Sequence, residues 1–81
     1  MHHYEIHGKD TDGNKFIYSL RPNSETDAYS FDNFWKPIGE KYINGKESPA
    51  IYLKEDSAKT SMDNLSKETS LLTFEIVKVE N

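Results

Sequence analysis

His3, Glu5 and His7 alternate at the start of the chain. In an extended strand, residues two apart project to one side, roughly 6.5–7 Å from each other. Two imidazoles flanking a carboxylate can be written as a general acid–base pair, Glu5 with His7. With His2 adjacent, they also form an acceptable ligand set for zinc or nickel. Histidines near a terminus more often reflect solvation or an expression tag, so the expectation is no metal and no cofactor.

The second chemical signal is Asp10-Thr11-Asp12-Gly13-Asn14. It has the flavour of a calcium loop but fails the register. With Gly13 at the sixth position, the first ligand would be Gly8 and the twelfth Ser19, where an EF-hand needs an acid and a bidentate glutamate. The reading is a turn. The serines include none in a G-x-S-x-G elbow, and the four glycines form no phosphate-binding loop. There is no cysteine, which excludes disulfides, thiolate nucleophiles and cysteine-ligated zinc. The chain is read as a non-enzyme.

Eighty-one residues make one domain, 1–81, with little material for a deep pocket. Every large apolar residue is needed for the core. The net charge is −4, and the ten basic residues are all lysine except Arg21. Duplex nucleic acid is therefore a disfavoured partner. No apolar run is long enough to span a membrane. A chain of this size without disulfides is expected in the cytoplasm. The preference for lysine, asparagine and isoleucine looks like A/T-rich coding, as in a low-GC bacterium or its phages.

The elements that must position these residues begin with a hairpin. Residues 3–8 and 14–20 read as two strands. A three-residue loop, Thr11-Asp12-Gly13, keeps Tyr4 and Ile6 on the face of Phe16, Tyr18 and Leu20, pairing Ile6 with Tyr18 and Tyr4 with Leu20. It also puts Gly13 at the left-handed position of a glycine bulge. His3, Glu5, His7, Lys15 and Ile17 fall on the opposite, exposed face.

Ser24 or Ser30 is read as the cap of a main helix. Phe31, Phe34, Trp35, Ile38 and Tyr42 recur at helical spacing, with Asn44-Gly45 as the stop and Pro37 as a kink. Pro49–Glu55 reads as an internal strand, 56–70 as a short helix carried by Ala58, Met62 and Leu65, and Leu71–Glu80 as a central strand. The order is β-β-α-β-α-β: an α+β domain with a four-stranded mixed sheet and the main helix on one face.

Tyr29, Phe31, Phe34, Trp35 and Tyr42 crowd this helix. Phe31, Phe34 and Ile38 should be core, while margin residues should form a docking surface: Tyr29, Asp32, Trp35, Lys36 and Glu40. Asp32 and Glu40 would meet a basic patch on a protein partner. The expected function is a non-catalytic protein-binding module, in the style of a phage or mobile-element accessory protein that inhibits a host protein. The alternative is a small-ligand or nucleotide-binding domain using Arg21 and aromatic side chains.

Overall fold

In the computed structural model, which describes residues 1–22, 31–43 and 46–80, the chain begins with the expected hairpin. Strand β1 spans His2–Lys9 and β2 spans Lys15–Pro22. They pair antiparallel with His7 opposite Ile17 and Lys9 opposite Lys15, the register of a three-residue loop. Gly13 has φ +88, the left-handed value such a loop requires. Asp10 closes the turn by accepting the Asp12 and Asn14 amides on its carboxylate, at 3.0 and 2.8 Å.

Beyond His7 and Ile17 the strands separate, which corrects the expected pairing of Ile6 with Tyr18 and Tyr4 with Leu20. A wedge of chain enters between them. Its first part is β4, Ser48–Pro49, which pairs with Leu20 and Ser19 of β2. The Ala50 amide donates to the Tyr18 carbonyl, and Tyr52 exchanges both backbone hydrogen bonds with Tyr4. The expected strand over Pro49–Glu55 is therefore internal but much shorter. It ends because Leu53 is 75% exposed and the helix starts at Glu55.

The largest correction is at residues 31–42. Phe31–Pro37 is not a helix but strand β3, antiparallel to β2, with Trp35 opposite Tyr18 and Lys36 opposite Ile17. Asp32 and Asn33 disfavour a helix interior, and Pro37 cannot supply the amide a helix needs. Aromatic residues fit a pleated surface well. Strand alternation scatters the expected stripe: Phe31 and Ile38 are exposed and Phe34 is half-buried. The proposed caps Ser24 and Ser30 and the stop Asn44-Gly45 lie outside the described residues.

The helix is α1, Glu55–Glu68. Its N-cap, Lys54, makes no side-chain capping bond. Glu55 and Asp56 in the first turn and Lys67 in the last instead complement the helix dipole. Ala58 and Leu65 bury one stripe against the sheet. Strand β5, Thr73–Glu80, returns beside β1, pairing Ile6 with Ile76 and Glu5 with Val77.

The sheet is antiparallel and has five strands, in the order β3-β2-β1-β5 with β4 also on β2. The expected mixed four-stranded sheet with two helices is thus replaced by β-β-β-β-α-β. β5 lies at an edge, not at the centre. Its two-sided apolar character arises because Phe74 and Ile76 share the face of Ile6, whereas Val77 and Val79 lie half-buried opposite Glu5 and His3.

The core occupies the even-numbered face of β1. Ile6 is completely buried there. Trp35 crosses β2 to lie over Gly8, where an added Cβ would come within 3.1 Å of the indole. Tyr18 and Phe74 flank the indole with ring centroids at 5.1 and 5.6 Å. No helix among the described residues is long and apolar enough to cross a membrane.

Candidate functional site

The opposite face of the sheet is polar and largely covered. Alternation places His3, Glu5 and His7 of β1, Ile17 and Ser19 of β2, and Phe34 and Lys36 of β3 on this side. His3 and Glu5 are buried, contrary to the expectation of an exposed face. Tyr42 and Glu47, which follow β3, supply part of the cover.

Glu5 is the centre of the histidine group. The His3 Nε2–H donates to its Oε2 at 2.9 Å, and the His7 Nε2–H donates to its Oε1 at 3.0 Å. An ionised carboxylate only accepts, so both rings carry their proton on Nε2 in these bonds. Burial pushes the Glu5 carboxyl upward, but the hydrogen bonds and charges of His7 and His3 outweigh it. The net effect holds Glu5 below the ordinary carboxylate range. Its two oxygens are engaged by the rings, an arrangement that fixes the imidazoles rather than opening a metal site. Among the described residues no group of three or more acidic, histidine or cysteine side chains could hold a metal.

Ser19 is fully buried beside this group. Its hydroxyl donates to the Ile17 carbonyl at 2.9 Å, which leaves Tyr42 Oη–H to donate to Ser19 Oγ at 2.7 Å. Burial raises the Tyr42 phenol above its ordinary range, the Glu5 charge adds to that, and the Ser19 bond opposes it. A phenol kept protonated suits this donor role.

Lys36 ties Glu40, Tyr42 and Glu47 to the sheet. Although 8% exposed as a residue, its ammonium donates to Glu47 Oε1 at 2.9 Å. It also lies 4.0 Å from Glu40 Oε2 and 5.5 Å from the centre of the Tyr42 ring. The same Glu47 oxygen accepts the Ile43 amide at 3.1 Å. The Lys36 hydrogen bond, followed by the Ile43 bond, lowers the Glu47 carboxyl.

The expected docking set is divided by this geometry. Lys36 and Glu40 come together, and Asp32 shares their side of β3. Trp35 points to the other side, into the core. Tyr29 lies outside the described residues. Lys36 is committed to Glu47, so a Lys36→Glu replacement reports on folding as well as docking. Ser19, Tyr42 and Glu47 are residues of this face that sequence spacing does not single out as docking residues. Ser19 left a trace, a polar residue inside an otherwise apolar strand; the Lys36–Glu47 pairing left none.

At one end of this face Arg21 stacks over the Phe34 ring, with its guanidinium 5.0 Å from the centroid. A cavity of about 400 Å³ opens there, lined by Arg21, Pro22, Ile43, Lys46 and Glu47. Compared with family models, curated proteins and solved structures, the chain matches none.

Proposed function

We propose that the protein is a non-catalytic binding module that docks on a protein partner through the outer edge of β3. The observation that carries this reading is the direction of that strand's backbone groups. The Tyr18 carbonyl is taken by Ala50 and the Lys15 carbonyl by Ile38. In an antiparallel ladder, odd-numbered residues of β2 therefore bond to their partners in β3. Lys36, Phe34 and Asp32 face β2 in this way, and the amide and carbonyl of Asn33 and Trp35 are directed outward. No strand among the described residues pairs with that outer side.

An outward row of amides and carbonyls is a template for an added strand. The partner in this reading contributes an extended segment with basic residues. Glu40 stands exposed beside β3, Asp32 is on the strand itself, and the chain carries a net charge of −4. Exposed Phe31 offers an apolar contact at one end of the strand. The bonded pairs Ser19–Tyr42 and Lys36–Glu47 support this edge from the inner side of the sheet. The composition supports the further reading of a cytoplasmic phage or mobile-element accessory protein that inhibits a host protein stoichiometrically.

Affinity capture from a host lysate, with mass spectrometry of what is retained, tests the reading when wild type is compared with Asn33→Pro. The replacement removes one outward amide without touching the ladder to β2. A retained protein lost on Asn33→Pro supports edge docking. Equal retention by both overturns it.

A further inference from the structure

At the hairpin end of the sheet, Lys9 and Lys15 stand directly opposite each other. Like charges in that relation destabilise a strand pair unless something lies between them. Both line an open cavity of about 340 Å³, together with His7, Thr73, Phe74, Glu75 and Ile38. His7 enters it in a fixed setting, because its Nε2–H is donated to Glu5 at 3.0 Å. Its other ring nitrogen has no partner among the described residues.

We propose that this cavity binds a phosphate-type oxyanion, held by the ammonium groups of Lys9 and Lys15 and by Nδ1 of His7. A doubly charged anion between the lysines turns their mutual repulsion into two attractions. The imidazole serves in either protonation state. A neutral ring accepts a hydrogen bond from a P–O–H group at Nδ1, and a charged ring donates one to a phosphate oxygen. Glu5 orients the ring for this role, as a carboxylate behind a ligating histidine does elsewhere.

Glu75 sits opposite His7 on β5 and bounds the site. Its carboxylate opposes any anion here, so the two lysines must outweigh it, and the longer, more highly charged polyphosphate chain is disfavoured further. Ile38, whose amide donates to the Lys15 carbonyl, forms an apolar wall beside the lysines. The volume is at the small end of ligand pockets and exceeds what one phosphate fills. The ligand class that follows is a phosphate monoester of a small organic molecule. This site is separate from the β3 edge and stands or falls independently of the docking proposal.

The test is a nuclear magnetic resonance titration of the full, nitrogen-15-labelled chain at constant ionic strength. Inorganic phosphate is the first probe and phenyl phosphate the second. The expected result is saturable shifts at His7, Lys9, Lys15 and Ile38, with phenyl phosphate binding more tightly because its ring also meets Ile38. Lys15→Gln, at an exposed position, keeps the wild-type spectrum elsewhere and weakens binding about tenfold, the worth of one charged hydrogen bond. Lys59→Gln on the exposed side of α1 leaves binding unchanged. No saturation with either probe would overturn the proposal. So would equal weakening by both substitutions, since that outcome describes general screening of charge.

Discussion

Truncating Ile6 to alanine probes the heart of the fold. Ile6 is 0% exposed, beneath the helix side of the sheet. The change removes three carbons, worth about 2.4 kcal/mol at ~0.8 kcal/mol for each buried methylene. Incomplete collapse of the cavity adds to this, giving a cost of about 3–4 kcal/mol. A domain of 81 residues has a total stability of about 4–12 kcal/mol. At about 4–8 °C for each kcal/mol, the melting midpoint falls by roughly 12–32 °C. The matched control is Phe31→Ala. Phe31 is 59% exposed at the end of β3, and its truncation costs within about 0.5 kcal/mol. Urea denaturation followed by far-ultraviolet circular dichroism measures both, with the slope checked for constancy. A Phe31→Ala protein destabilised as much as Ile6→Ala would refute the strand assignment and restore a buried helical stripe.

Gly13→Val should cost about 1–2 kcal/mol through backbone strain alone. The residue has φ +88 and open space around its Cβ position, so an unchanged midpoint would refute the bulge. Glu5 has a depressed carboxyl in the fold, so its contribution is complete above the ordinary glutamate value of about 4.3 and is lost as pH falls through the lower folded value. Asp10 and Glu47 act in the same direction, so Glu5→Gln should reduce the acid-side slope of stability without abolishing it. An unaltered slope in thermal melts between about pH 5 and pH 2 would contradict the His3–Glu5–His7 bonding. Glu47→Gln should accelerate amide hydrogen exchange at Ile43, whose N–H it accepts, while exchange in β1 stays slow.

Local signals in the chain identified what depends on local geometry. The even-numbered apolar residues of the hairpin set its loop length, and Gly13 marked the positive φ. Ala58, Met62 and Leu65 located α1 within a residue or two. The stretch 31–42 carries a misleading signal, because Phe31, Phe34, Trp35 and Ile38 fit a helical period while their neighbours do not. Asp32, Asn33 and Pro37 carried the opposing information. The entry of Ser48–Tyr52 between two strands of a hairpin has no periodic signature at all, since either neighbour could have remained paired.

The site follows the same division. The alternation of His3, Glu5 and His7 was legible, as was their common face. Their burial was not, because it depends on distant residues such as Tyr42 reaching this face. Ser19 meets Tyr42 across 23 positions and Lys36 meets Glu47 across 11. No helix or strand period joins residues so separated, and only the tertiary fold brings them together.

The central claim is that the outer edge of β3 takes an added strand from a protein partner. Its most direct test is calorimetric titration of the captured partner into wild-type and Asn33→Pro protein, with circular dichroism establishing that both are folded. The account predicts one-to-one binding by wild type that weakens as salt rises, and at least a tenfold loss of affinity in Asn33→Pro, the equivalent of about 1.4 kcal/mol. Wild-type affinity in a folded Asn33→Pro protein would contradict it.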